Sequence, residues 1–185
     1  MILEGLVTTV EESGEMHLAA MGPMVAGPDF ETLKFRPYQT SRTGRNLRRT
    51  RQGVFHITDQ VELFARLAIG LPVSTSSIPA ESVSGFVLDS CVKAYEFQVE
   101  SIDTRHERHE LMAQVVKIHR RGEWLGFNRA RHAVLEAAIM ATRFHLLPAD
   151  HIDREFERLR TIVGKTAGQA EERAFAWLDE ARRKR

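Results

Sequence analysis

The sequence predicts an α+β protein, because short strand patterns fill the chain up to Gly126 and helical periods fill it afterwards. A second observation supports this class. Strands and helices do not alternate along the chain, which argues against a parallel α/β sheet. At 185 residues, with 43% hydrophobic and 28% charged side chains, the balance is that of a globular protein. A chain of this length buries roughly 70% of its unfolded surface without needing a disulfide or a structural metal.

Ile2 to Val10 is rich in β-branched residues, Glu12, Ser13 and Gly14 supply turn chemistry, and Met16 to Met21 returns as the second arm of a hairpin. Gly22-Pro23 and Gly27-Pro28 break the chain, so the segment between them is a loop or a strongly bent edge. Glu31 to Phe35 reads as a short strand. Arg36 to Gln52 has no clean period and reads as a loop leading into a short helix around Asn46. Gly53 to Thr58 reads as a buried strand. Asp59 is then placed to cap a helix running to about Ile69, with Val61, Phe64, Leu67 and Ala68 on one face.

Leu71 to Ser84 is rich in Ser and Pro and is expected to be a mobile loop. From Cys91 to Glu100 the residues alternate: Cys91, Tyr95, Phe97 and Val99 oppose Glu96, Gln98 and Glu100, as in a strand with one buried face. A second strand, about Glu110 to His119, follows a charged connection and is expected to pair with it antiparallel. Three helices come last, Asn128 to Leu146, Asp150 to Val163 and Gln169 to Arg183, separated by Pro148 and by Gly164 to Gly168. Ala170, Ala174, Trp177 and Ala181 form the apolar stripe of the last helix. The expected division is a strand-rich domain over 1–126 and a C-terminal helical extension over 127–185 packed on it. No internal repeat is present.

A formal net charge of +1 implies no polyanion partner by itself. Cys91 is the only cysteine, which excludes an internal disulfide and a thiolate metal cage within one chain. With its strand-like setting and no activating base nearby in sequence, Cys91 reads as a small core residue. Met1 to Val10 carries Glu4 and no basic region, unlike a secretory signal. No apolar run approaches the ~18 residues of a membrane span. A cytoplasmic location is expected.

Two constellations could carry chemistry. Between Lys34 and Arg51 lie seven basic residues, Lys34, Arg36, Arg42, Arg45, Arg48, Arg49 and Arg51, and no acidic residue occurs between Glu31 and Asp59. Tyr38, Thr40, Ser41, Thr43 and Asn46 are interleaved with them. Guanidinium forks with neighbouring hydroxyls suit a dianionic phosphate; the plainer alternative is a solvated basic loop. The second constellation is Gly126-Phe127-Asn128-Arg129-Ala130. Asn128 suits an N-cap, and Arg129 in the first turn opposes the helix dipole, a conflict that a bound anion would relieve. Arg129, His132, Glu136 and Arg143 fall on one polar stripe; an ordinary capped helix with a solvated face explains the same spacing.

Other patterns fail. Gly164-Lys165-Thr166 resembles the end of a P-loop, but the first glycine of that motif would fall on Leu159 and the triplet follows a helix instead of opening one. His106-Glu107-Arg108-His109 is one residue short of the zinc-protease spacing, so no metal is expected there. No nucleophile turn for a Ser-His-Asp arrangement occurs.

Taken together, several segments resemble the family catalogued as domain of unknown function 447 (DUF447), within the FMN-binding split-barrel, flavin reductase-like superfamily. They are Glu4 to Thr9, Leu18-Ala19-Ala20-Met21-Gly22-Pro23, Tyr38 to Leu47, Phe55 to Asp59, Tyr95-Glu96, Phe127-Asn128-Arg129-Ala130 and the helical tail through Lys165-Thr166. Their order along nearly the whole chain carries the resemblance. It implies a split β-barrel with a C-terminal helical segment, a homodimer, and FMN at or near the subunit interface. In such relatives a Thr-x-x-Asn step beside a basic residue contacts the phosphate, and Thr43 and Asn46 fill it here. Ala20, Met21 and Gly22 match the strand whose backbone approaches the isoalloxazine ring. Ser41-Arg42 stands where the pattern has Lys-Asp, which leaves the donor list open.

The resemblance thus makes Ala20, Met21, Gly22, Tyr38, Ser41, Arg42, Thr43, Arg45, Asn46, Asn128 and Arg129 the candidate cofactor contacts, with no catalytic acid or base singled out. The implied function is a flavin-dependent oxidoreductase; the alternative is an FMN carrier or redox-sensing module without turnover. The family's association with archaeal-type one-carbon and pterin metabolism implies a pterin-type substrate, by association alone. Nucleic-acid or acidic-partner binding ranks last, because only Phe35 and Tyr38 accompany the basic residues as stacking groups.

Overall fold

The β-branched run at the start finds its partner a tight turn away. Strands β1 (Leu6–Val10) and β2 (Met16–Ala20) pair antiparallel, with Val10 opposite Met16 and Leu6 opposite Ala20. Gly14 supplies the left-handed turn backbone, at φ 87°. The computed structural model describes residues 1–27 and 30–185, so Pro28, in the second Gly-Pro break, lies outside the described residues. After it come β3 (Thr32–Phe35), α1 (Arg42–Thr50), β4 (Gln52–Ile57), α2 (Val61–Ala68), β5 (Ser77–Pro79), β6 (Phe86–Leu88), β7 (Lys93–Asp103), β8 (Glu110–Arg120), α3 (Arg129–Ala141), α4 (Ala149–Thr166) and α5 (Gln169–Arg183).

The described residues form two compact units, 1–58 with 75–123 and 59–74 with 124–185. In the first, six strands make one antiparallel sheet in the order β2-β1-β4-β7-β8-β3. The sheet curls until its ends approach. Met24 bridges both Lys34 of β3 and Ile2, just ahead of β1, and Leu3 N–H donates to the Pro23 carbonyl at 3.1 Å. These links close one end of the barrel and leave β2 as an open edge, which is the split. Leu33, Phe35, Leu47, Phe55, Phe97 and Leu111 fill the interior, with the Phe35 and Phe97 ring centroids 4.8 Å apart.

The second unit is four helices. α3 packs against α4 and α5, and α2 packs against α3 and α5. Phe156 sits between Phe144 and Phe175, at 5.9 and 5.6 Å. No described helix is long and apolar enough to cross a membrane.

Five expectations are corrected. Asp59 does not cap α2; the helix starts one residue later behind Gln60, and the Asp59 carboxylate pairs with Arg131 instead. α3 ends at Ala141, short of Leu146, and gives way to turns. Gly164 lies inside α4, which runs on to Thr166; one exposed glycine costs about 1 kcal/mol in a helix and does not stop it. The buried stripe of α5 is centred on Ala174, Phe175 and Leu178, rotated from the alanine series, because burying a ring and a leucine gains more than burying methyl groups. Trp177 stays half-buried under the Arg66 guanidinium, 4.3 Å from its ring centre.

The fifth correction joins two elements. Residues 71–84 include β5, which pairs with β6, and the strap that follows it is held by a carboxylate expected on the wet face of β7. Glu96 is fully buried. It accepts hydrogen bonds from the N–H groups of Glu81, Ser82 and Val83 at 2.8, 2.6 and 3.0 Å, and its Oε1 lies 2.6 Å from His119 Nε2. Burial opposes its ionisation, but the Glu81 N–H, the His119 ring and the Ser82 N–H hold it below the usual carboxylate range.

Candidate functional site

Helix α1 organises the site. Ser41 caps it, accepting from Gly44 N–H at 3.0 Å while its own hydroxyl donates to the Tyr38 carbonyl at 2.7 Å. Gly44 has no room for a side chain, since a Cβ would stand 2.6 Å from that same carbonyl. The first turn carries no acidic residue. Thr43, Asn46 and Leu47 point inward and are buried. Thr43 Oγ1 lies 3.1 Å from His17 Nε2 on β2, and Asn46 Nδ2 donates to Thr9 Oγ1 on β1 at 3.1 Å.

The seven basic residues separate in space. Lys34 and Arg36 pair with Glu110 at 2.7 and 3.3 Å. Arg51 donates to the Val99 and Glu100 carbonyls. Arg42, Arg45, Arg48 and Arg49 remain on α1 and, with Asn46, line one wall of an open groove of about 780 Å³. Glu11, Glu12, Ser13 and Glu15 of the β1–β2 turn line the other. Arg45 donates to the Thr40 carbonyl and Arg49 to the Val10 carbonyl. Arg42 and Arg48 make no ion pair among the described residues. An anion entering this groove meets four guanidinium groups on the helix side and carboxylates on the turn side, so it is drawn to α1.

The remaining candidates lie in different places. The β1–β2 ladder, fixed by Met21 N–H on the Gly5 carbonyl and Glu11 N–H on the Glu15 carbonyl, turns the backbone groups of Met16, Leu18 and Ala20 outward. Ala20 is exposed on this open edge. Gly22 crosses Leu3 so closely that a Cβ would stand 2.0 Å from the Leu3 carbonyl oxygen. Tyr38 is engaged by Arg108, whose guanidinium donates to its hydroxyl at 2.6 Å and lies 4.0 Å from its ring centre.

Asn128 and Arg129 belong to the helical unit. Asn128 is the expected N-cap, accepting from Arg131 N–H at 3.0 Å and donating to the Thr166 carbonyl at 3.1 Å. Arg129, His132, Glu136 and Arg158 line a smaller groove of about 260 Å³. Among the described residues no cluster of His, Cys, Asp or Glu could hold a metal.

Sequence reasoning missed His17, whose place on β2 gave no sign that it faces α1. It also missed the Glu96–His119 pair, although Tyr95-Glu96 was among the segments that carry the family resemblance.

Two family models cover almost the whole chain. Residues 3–122 match "Protein of unknown function (DUF447) N-terminal domain" and residues 128–180 match "Protein of unknown function (DUF447)". The chain belongs to the DUF447 family. Among solved structures, an FMN-bound DUF447 protein from Methanosarcina mazei is similar at 21% identity and a TM-score of 0.78, over 97% of this chain and 94% of that one. The 2-nitrobenzoate 2-nitroreductase of Pseudomonas fluorescens matches at 15% identity and a TM-score of 0.55, over 64% of each chain. The styrene monooxygenase flavin reductase of Pseudomonas putida matches at 13% identity and a TM-score of 0.52, over 63% of this chain and 77% of that one. A comparison with curated proteins finds no match. The DUF447 chain thus shares the split-barrel fold of flavin reductase-like proteins.

Proposed function

We propose that this DUF447 protein binds FMN beside α1 and acts as a flavin-dependent oxidoreductase. The observation that carries the reading is the arginine wall of the groove, with Arg42 and Arg48 outside any ion pair among the described residues. The likeness over 97% of the chain to a family member crystallised with FMN supports it, and so do the reductase names of the other two relatives.

The residues present fit the group chemically. A phosphate monoester near two negative charges needs several fixed donors in a partly dry site. Arg42 and Arg45 supply charge, and Thr43 and Asn46 supply short side-chain groups already positioned by His17 and Thr9. The outward backbone of Ala20 offers an N–H and a carbonyl to a planar, hydrogen-bonding ring system. FMN supplies the hydride and electron chemistry when bound, and the chain supplies binding, orientation and electrostatics. Asn128 and Arg129 remain candidate contacts on their own unit.

A visible absorption spectrum of the purified protein tests the reading directly. A flavin spectrum in the protein as isolated, or after titration with FMN, is the expected result; a protein that takes up no FMN sinks it. Reduction by NADH or NADPH, followed by a screen of electron acceptors that begins with pterins, then separates an enzyme from a carrier.

A further inference from the structure

We infer that His17 positions the Thr43 hydroxyl and makes the groove selective for a phosphorylated flavin, phosphate binding being coupled to the uptake of one proton by the imidazole. The inference rests on the FMN reading above and assigns a role to a residue outside the expected contact set.

His17 stands on β2 opposite Thr9. Its Nε2 lies 3.1 Å from Thr43 Oγ1 and its Nδ1 lies 3.6 Å from Glu11 Oε1. A threonine hydroxyl has one hydrogen to give, and a neutral imidazole has one donor nitrogen and one acceptor nitrogen. The Glu11 carboxylate only accepts, so it favours the tautomer with hydrogen on Nδ1. Nε2 is then an acceptor and takes the Thr43 hydrogen, leaving Thr43 to show an anion only lone pairs. A protonated ring donates from both nitrogens. Thr43 then accepts from Nε2–H, and its own hydrogen is released to a phosphate oxygen. One proton moves from solvent to Nε2, forming its N–H bond; no other covalent bond in protein or ligand forms or breaks.

The charges around the ring favour this coupling. Glu11 faces it from the turn after β1, and Arg42 and Arg45 face it from α1. Burial lowers the affinity of the ring for a proton, Glu11 opposes that, and the two guanidinium groups add to it. A phosphate dianion held by Arg42 and Arg45 offsets their repulsion, so proton and phosphate each strengthen the binding of the other, by linkage.

Calorimetric titration of FMN and of riboflavin between about pH 6 and pH 8, in buffers of different ionisation enthalpy, reads the proton uptake. The proteins compared are wild type and His17→Gln, whose amide keeps a hydrogen-bonding group beside Thr43 but does not titrate. The ionisation of the phosphate itself is common to both and cancels in the comparison. In wild type the preference for FMN over riboflavin should fall several-fold more across that range than in His17→Gln. An equal fall in the two proteins overturns the inference. Should His17→Gln not fold, Thr43→Val reports instead: loss of the excess proton uptake supports the coupling, and its persistence overturns the positioning role. If wild type binds neither flavin at any pH, it is the FMN reading that fails, and this inference falls with it.

Discussion

Thr43 and Asn46 show how a short motif can be read for its residue types and still be incomplete. Both are buried with interior partners, so in the proposed site the electrostatic part of phosphate binding would fall to the arginines on the outer side of the same helix. Removing one contacting guanidinium should cost about 2 kcal/mol, close to thirtyfold in affinity. Fluorescence titration of FMN with Arg42→Ala, Arg45→Ala, Thr43→Val, Arg129→Ala and Arg48→Ala is the measurement. The first three are expected to weaken binding, Arg48→Ala to matter less, and Arg129→Ala reports on the helical unit. Wild-type affinity in the first four moves the phosphate site elsewhere. Cys91 is buried, its thiol donates to the Leu88 carbonyl at 3.1 Å, and burial pushes its pKa up to about 11. Cys91→Ala should therefore leave FMN content and any turnover largely intact; loss of either in a folded protein contradicts the core role.

His56 is a second residue-level test, of stability. Its ring is fully buried, Nδ1 donates to the Leu6 carbonyl at 3.2 Å, and Nε2 accepts from Leu88 N–H at 3.2 Å, which fixes the neutral form. Burial lowers its pKa from 6.5 to about 4. Between those values the unfolded chain binds a proton that the folded protein does not, so stability is intact above pH 6.5 and is lost as pH falls towards 4. The loss is about 3 kcal/mol at the lower end. Chemical denaturation from neutral to mildly acid pH checks this; a His56→Gln variant with the same pH slope as wild type rules it out.

At the scale of elements, the barrel's polar side chains hold down the strap over residues 75–90. Thr8 of β1 donates to the Phe86 carbonyl at 2.6 Å, Gln52 of β4 accepts from Ser84 N–H at 2.7 Å, and Glu96 of β7 collects three amides. A sequence rich in Ser and Pro has little apolar surface to bury, so its order here comes from backbone hydrogen bonds to side chains far away in the chain. Glu96→Gln keeps the shape but removes the charge and one acceptor. It should cost about 3 kcal/mol and open residues 71–84 to limited proteolysis. Unchanged melting with unchanged protease resistance would show that the carboxylate does not clamp the strap.

At the scale of the whole molecule, Met112, Val116 and Ile118 of β8 remain between 37% and 42% exposed, on either side of a β-bulge at Val116. Exposed apolar side chains on a strand suit contact with a partner. The expected assembly is an isologous homodimer. Light scattering on the FMN-loaded protein at micromolar concentration should give twice the chain mass, and a monomer there counts against it. Charge is organised on the same scale. In the helical unit Arg131 bonds both Asp59 and Glu171, and Asp179 receives Arg160, Arg182 and Arg183, so the near-neutral formal charge conceals dense local pairing.

The sequence by itself determined the α+β class, the hairpin of β1 and β2, the antiparallel pairing of β7 with β8, the cap at Asn128 and the basic helix around Asn46. Each of these depends on residues close in the chain, where period, capping chemistry and turn residues act. The tertiary structure decided which charges stay available and which side chains are covered. Lys34 and Arg36 left the basic cluster because folding brought Glu110 beside them, and Arg51 left it for backbone carbonyls of β7. Glu96 keeps its side in the alternation, but a distant strap covers that face and three of its amides meet the carboxylate. His17 became a neighbour of Thr43 because β2 and α1 pack together across a sequence gap that no local pattern spans. Periodicity records the average environment of an element, whereas a buried charge or a hydrogen-bonded pair depends on the one partner that folding delivers.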